Sequence, residues 1–548
     1  MQHFNIITRR GFLDRSFKVG LGVALSTLVD IPLVVKRALA EGTIGLNGKK
    51  LLFIFLRGAN DSLNSVIPIQ DTAYNLTNRP TLMIPKAPGA DYTATGLSFD
   101  PTQYLDSGGT TRAATDPTFA YAGAIPLGNG FAALHPSLKF LAPVYNVGDL
   151  ALIHRVGYPR QSRSHFDSQN YWETGNPNNN LVKDGILYRT MVESGIANTA
   201  PLTGVSIQSS LPLMLRGSAA AMTNLTDPTR YNLLGIPNTT AGNLKADNSI
   251  ANGNGFPFAD KKNRELLNLQ YKNLTDTLSI FATLNFSEAG NTFVDDVNTD
   301  NDTGPYNLFP TTNAKNGGYA LHANDPQKYV VDTGAYGFFN NLKAAALILN
   351  STDAIVAGTE MGGFDTHQSQ GTLTGSHPNL QRRIAWAMYS LKKFFTRYGK
   401  GGPAAITGAK VSWNDLVVVT LSEFGRTTVE NSDRGTDHAE AGVMFVAGGA
   451  VKGYGKGNTN GVFGCHPSDT VPWATGQTGS MFGASSRYLK RAYDYRSVLG
   501  KLIRDHLGAT QNQLNRIIPG YLDSREKLQA GGQSTIDNVP IIGEPTVV

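Results

Sequence analysis

Cysteine is all but absent. Cys465 is the single thiol in 548 residues. No internal disulfide can form, and a zinc site built from cysteines is excluded. A lone thiol of this kind is by default a small, inert, buried residue. Charge is scarce too: Asp, Glu, Lys and Arg make up 16% of the chain, against 41% hydrophobic residues. A disordered chain would be charged and poor in apolar side chains, so that class is excluded, and the 59 glycines point instead to a loop-rich globular protein. The formal charge of +6 is unevenly placed. Residues 1–40 hold Arg9, Arg10, Arg15, Lys18, Lys36 and Arg37 against only Asp14 and Asp30, which leaves the rest near balance and without a long basic run. The concentrated basic footprint of a nucleic-acid binder is missing, so no nucleic-acid partner is expected.

Long apolar runs are missing as well. The stretch 19–35 is weakly apolar and is interrupted by Asp30 and Pro32, which argues against a membrane anchor. Its flanks have another meaning. Thr8-Arg9-Arg10-Gly11-Phe12-Leu13 precedes it, and Lys36-Arg37-Ala38-Leu39-Ala40 follows it. A paired arginine, an apolar region and a small-residue cleavage site predict a twin-arginine signal peptide over residues 1–40, cut after Ala40. The expected partner is the twin-arginine translocase during export. The expected location is the periplasm or the exterior, without a stable membrane anchor.

The length allows one large domain or two or three smaller ones. The pattern of elements favours one, over residues 41–548. Apolar strands are predicted at 51–56, 150–156, 354–357, 416–421 and 443–447, and amphipathic helices begin near His135 and cover 338–349, 378–398 and 494–507. Strand and helix alternate, so the expected fold is α/β: an α/β/α sandwich with a mostly parallel central sheet and loop-rich insertions. The stretch 200–335, rich in Asn, Thr, Gly and Asp around a helix expected over 262–286, reads as a cap or insertion.

The strand runs are short, β-branched and unalternating, as befits strands buried on both faces. Polar, titratable residues gather at their ends. Asp365 and His367 follow the run at 354–357; Glu423 and Arg426 end the run at 416–421; Asp437 and His438 lie before the run at 443–447. Ligands of open α/β sheets bind beyond the carboxyl ends of the strands, so these residues are expected in one cleft. Carboxylate and imidazole side chains suit zinc or another divalent ion. The plainer alternative has Glu423 paired with Arg426 and the histidines solvated. Glu423 needs a metal, Arg426 or backbone donors in either case, because a buried carboxylate without partners is costly. Ser162 or Ser164 is placed to cap the helix through Tyr171 and Trp172; beside Arg163 and His165, Ser164 also suits anion binding or nucleophilic attack. Asn60-Asp61-Ser62, after the first strand, is ordinary turn chemistry.

In combination, TRRGFL, LRGANDSLN, SRSHFDSQNYWETG, GGFDTH, LSEFGRT and GTDHAEAG resemble the exported bacterial proteins grouped as domain of unknown function 1501, over about residues 51–521. That family is grouped with the alkaline phosphatase and sulfatase superfamily. The resemblance implies an alkaline-phosphatase-like fold and hydrolysis of a small anionic phosphate or sulfate ester at a divalent metal centre, zinc before Mn, Ca or Mg. It places Asp61 as the first-strand ligand, Ser164 as the nucleophile, Asp365 and His367 as a ligand pair, Glu423 near the usual Asp-His position and His438 as the last histidine. On the hydrolase reading Arg163 or Arg426 would bind the anionic group, and the residues themselves add Asp437 to the candidate ligands. The sequence departs from the superfamily in two places. Asp365-x-His367 is shorter than the usual spacing, and Glu423-Phe424 leaves the set one nitrogen short unless His165 supplies it. A one-metal enzyme and a non-catalytic binding or assembly protein on the same fold both remain open at this point.

Overall fold

The computed structural model describes residues 44–92 (except 88–89), 123–195, 202–227 (except 219 and 221), 333–465 (except 458–459), 487–521 and 531–548 (except 535), with a few short pieces elsewhere. The expected signal peptide and nearly all of the helix expected over 262–286 lie outside the described residues. Among the described residues, no helix is long and apolar enough to cross a membrane.

A nine-stranded mixed sheet organises the chain. In chain order its strands are β1 Lys50–Leu56, β2 Leu150–Gly157, β3 Gly204–Ile207, β4 Thr223–Leu225, β5 Val356–Met361, β6 Leu416–Leu421, β7 Gly442–Ala447, β8 Val462–Phe463 and β9 Tyr493–Asp494. Across the sheet the order is β8-β2-β7-β6-β1-β5-β3-β4, with β9 also on β2. β1 pairs parallel with both β5 and β6, and only β7 runs against its neighbours β6 and β2. The seven α-helices of the described residues are α1 Ala142–Tyr145, α2 His165–Thr174, α3 Ile186–Glu193, α4 Thr333–Ser351, α5 Ser376–Arg397, α6 Tyr495–Lys501 and α7 Gln511–Ile517.

The unalternating strand sequences follow from burial on two sides. Leu52, Ile54 and Leu56 of β1 share a core with Leu342 and Ile348 of α4 and Ile384 and Trp386 of α5. Leu51, Phe53 and Phe55 share the opposite core with Trp172 of α2, Met191 of α3, Val498 of α6 and Leu514 of α7. Each such side chain contributes about 1.5–3 kcal/mol when fully buried.

Two expectations need correction. Residues 204–207 and 223–225, expected in the insertion, extend the central sheet as β3 and β4, in parallel with β5. Strands of four and three residues are too short to leave a periodicity in the sequence. The helix expected from His135 begins as a 3-10 turn, Pro136–Leu141, with His135 accepting the Ser137 N–H, and becomes α-helical only in α1.

Candidate functional site

The site lies at one edge of the sheet. The chain leaves β1 into Gly58, β2 towards His165, β5 towards Asp365 and β6 into Glu423. Because β7 runs the other way, its incoming segment reaches the same edge as the outgoing ends of its neighbours, and that segment carries Asp437 and His438. The two arms of the loop between β6 and β7 are zipped together: Thr427 N–H donates to Asp437 O at 3.0 Å, Gly425 N–H to Glu440 O at 3.0 Å and Ala439 N–H to Gly425 O at 2.9 Å.

Four atoms converge there. His438 Nε2 is 2.9 Å from His165 Nε2 and 2.8 Å from His367 Nε2. Asp365 Oδ1 is 3.4 Å from His165 Nε2, 3.1 Å from His367 Nε2 and 3.5 Å from His438 Nε2. His165, Asp365 and His438 offer one ligand atom each within 4.8 Å of one another, and theirs is the only such group of His, Cys, Asp or Glu among the described residues. His367 touches two corners of that triangle.

The far side of each imidazole decides what these contacts are. His165 Nδ1 lies 2.9 Å from Glu423 Oε1, His367 Nδ1 3.3 Å from Asp437 Oδ1, and His438 Nδ1 2.7 Å from the carbonyl oxygen of Arg163. A carboxylate and a carbonyl can only accept, so each Nδ1 carries the hydrogen. In the neutral rings the Nε2 lone pairs of His165 and His367 both face that of His438, which is repulsive without a proton or metal ion between them; His367 Nε2 also accepts from Arg426 Nη1 at 3.4 Å. Metal-bound histidines are oriented in this way, by an acceptor on the nitrogen that faces away from the ion. The donor set fits a divalent ion, and a predominance of imidazole favours zinc over calcium or magnesium.

The electrostatics match. Burial pushes the Asp365 carboxyl up, but the hydrogen bond and charge of Arg426, with His367 and His165, outweigh it and hold its pKa below the ordinary value. The hydrogen bond to Glu423 raises the His165 pKa, whereas burial lowers that of His438. Burial also pushes Glu423 up, but hydrogen bonds from His165 and Gln169 overcome it, so the carboxylate stays ionised.

The expected ligands therefore separate into groups. His165, Asp365 and His438 form the centre, with His367 against it. The ring of His165, which would supply the nitrogen that Glu423-Phe424 lacks, rests on Phe424 at a centroid distance of 4.7 Å. Glu423 and Asp437 stand one step back, contrary to their expected role as ligands. Glu423 Oε1 already accepts from Gly58 N–H at 2.8 Å, His165 and Gln169 Nε2 at 3.0 Å. Asp437 serves His367, Asn431 and Arg487. Asp61 is elsewhere: fully buried, it pairs with Arg79 at 2.7 Å, accepts from Gln370 Nε2 at 2.7 Å and caps the turn Ser62–Asn64. Burial would raise its pKa, but the Arg79 charge and hydrogen bond hold it at about 2. With its oxygens engaged in this way, Asp61 stands outside the group of His165, Asp365 and His438.

The three residues expected to do the chemistry also differ in placement. Ser164 caps α2, its Oγ accepting from the Asp167 N–H at 3.4 Å, and no base contacts that hydroxyl among the described residues. Arg163 lies at the rim, its guanidinium stacked on Tyr488 at 3.9 Å and 3.6 Å from Glu440. Arg426 is fully buried and bonded to Asp365 rather than to Glu423. It is not free to fork a substrate anion.

Sequence reasoning missed Arg79, Gln169 and Gly58. Gln169 had a signal, since it lies four residues after His165 on the same helix face. Gly58 has φ +109°, and a Cβ there would run into the backbone nitrogen of Asp365, so only glycine lets these two loops meet. Arg79 lies in a stretch with no periodicity and had no signal.

No curated protein and no solved structure matches the chain. Residues 319–466 match the model of a family described as "Protein of unknown function (DUF1501)", which supports that family for the chain over a segment that contains Asp365, His367, Glu423, Arg426, Asp437 and His438.

Proposed function

We propose that this chain is an exported, metal-dependent hydrolase of small anionic esters, phosphate or sulfate, on an alkaline-phosphatase-like scaffold. The observation that carries the reading is the set of three imidazoles turned Nε2 to Nε2 beside Asp365, each with its Nδ1 spent on an acceptor. His165, His438 and Asp365 would hold the ion. What a divalent ion supplies at such a centre is Lewis acidity towards an ester oxygen.

The remaining roles fall to the residues around it. Glu423 fixes the ring of His165 and Asp437 that of His367. The half-exposed guanidinium of Arg163, whose own carbonyl orients His438, is the group placed to meet a ligand anion at the rim. The Ser164 hydroxyl is committed to capping α2, which favours water over Ser164 as the attacking group. Phe166, next to His165 and 89% exposed, offers an apolar face for the organic part of the ester. Export by the twin-arginine route belongs to the same proposal and rests on Arg9 and Arg10; changing both to lysine should hold the precursor in the cytoplasm.

The test is turnover of aryl phosphates and aryl sulfates by purified protein supplied with Zn, Mn, Ca or Mg. Activity that His438→Ala and Asp365→Ala abolish is expected. No turnover above those variants with any of the four metals would leave the second reading, a binding or assembly protein that keeps the centre without the chemistry. The capped Ser164 and the saturated Arg426 favour that reading.

A further inference from the structure

We infer that the centre takes one divalent cation per chain, with the guanidinium of Arg426 standing where a second would sit. The inference rests on the metal reading above and concerns how the surrounding side chains limit it. Arg426 is fully buried. Its Nε donates to Ala59 O at 2.9 Å, Nη1 to Thr436 O at 3.0 Å, and Nη2 to Phe364 O at 3.1 Å and to Gly58 O. Those four carbonyls come from three loops at the sheet edge. The guanidinium they fix is 2.6 Å from Asp365 Oδ1 and 3.4 Å from His367 Nε2. A guanidinium carries five N–H donors and no acceptor and stays charged throughout the working range. It is therefore a permanent cation, bridged by the carboxylate that also faces His165 and His438.

The centre thus has two sides. On one, His165 and His438 converge with Asp365 Oδ1. On the other, Asp365 and His367 already meet the charge of Arg426. A second metal ion would need that same pair, and further donors besides. Glu423 Oε1 is saturated by three N–H groups, Asp437 is held by Asn431 and Arg487, and Asp61 by Arg79. Glu423 Oε2 is buried and without a hydrogen-bond partner, but one oxygen is not a site.

On this account His367 is a positioning residue. It accepts from Arg426 and packs on His438, and it does not complete the ligand set. The experiment is metal content per folded chain, by elemental analysis after loading the full chain with zinc and removing excess, on wild type, His367→Ala and His438→Ala. One zinc in wild type, one in His367→Ala with affinity weaker by about 10–100-fold, as for loss of an outer contact, and none in His438→Ala is the expected result. Two zincs in wild type, or none in His367→Ala that still folds, would overturn the inference while leaving the metal reading intact. No zinc in wild type would overturn both. The wild-type count does not depend on any variant folding.

Discussion

His165 and His438 face each other Nε2 to Nε2 at 2.9 Å, and each gives its Nδ1 hydrogen to an oxygen, Glu423 Oε1 for the one and the Arg163 carbonyl for the other. Two lone pairs held this close call for a proton or a metal ion between them, and Asp365 Oδ1 supplies negative charge beside them. The chemistry proposed for the protein depends on that relationship.

Removing a ligand should therefore remove the ion and its stabilisation together. An ion bound only by the folded state at about 100 times its Kd adds about 2.7 kcal/mol. Wild type should melt lower after chelation, while His438→Ala and Asp365→Ala should melt at one temperature with or without chelator. Equal chelator responses in all three proteins would remove both residues from the ligand set.

Glu423 acts through His165. Glu423→Ala should weaken zinc binding by about 10–100-fold, and Glu423→Gln by less, because an amide oxygen can still accept from Nδ1. Competition with a chromophoric chelator measures both. Unchanged affinity in Glu423→Ala would show that the ring needs no such support.

The Asp61–Arg79 pair is a matter of stability rather than of the ion. The folded pKa of Asp61, about 2, lies below the unfolded value of about 3.9. Its contribution is therefore fully present above about pH 4 and is lost as pH falls towards and through 2. Asp61→Asn leaves a buried guanidinium without its counter-charge and should cost about 3–5 kcal/mol. It should also flatten the acid limb of stability between about pH 4 and 2, yet still bind zinc. Loss of zinc from folded Asp61→Asn would return Asp61 to the centre.

Gly58→Ala tests the junction of two loops. The positive φ alone costs about 1–3 kcal/mol, and the added Cβ pushes on Asp365. Melting temperature and zinc affinity should fall together. A variant as stable and as tight as wild type would mean that the loops have room to adjust.

Ser164→Ala separates a hydroxyl nucleophile from water. Loss of the cap should cost about 1 kcal/mol, with turnover within a fewfold of wild type. A drop of several orders of magnitude, with zinc still bound, would make Ser164 the nucleophile.

How far the sequence reveals this centre depends on how local each contact is. The strand ends were legible because residues 51–56, 416–421 and 443–447 are short apolar runs that suit a strand buried on both faces. The gathering of Asp365, His367, Glu423, Asp437 and His438 followed from those ends. The reversed direction of β7 was not legible, although it is what carries His438 to the common edge. Nor could residue type separate the inner Asp365 from the outer Glu423 and Asp437, since all three are carboxylates at strand ends. The division is made by Gly58 N–H, Gln169 and Arg487, partners far away in sequence. The pairing of Asp61 was not legible, because its partner Arg79 lies in an aperiodic stretch; the turn reading of Asn60-Asp61-Ser62 agrees with its capping of Ser62–Asn64.

The most direct measurement is an anomalous difference map from crystals of the zinc-loaded protein, recorded on both sides of the zinc edge. The account predicts one peak per chain, about 2.0–2.2 Å from His165 Nε2, His438 Nε2 and Asp365 Oδ1, with Glu423 and Asp437 behind the histidines. A map without a peak among those three atoms, or with the peak on Asp61 or Glu423, would contradict it.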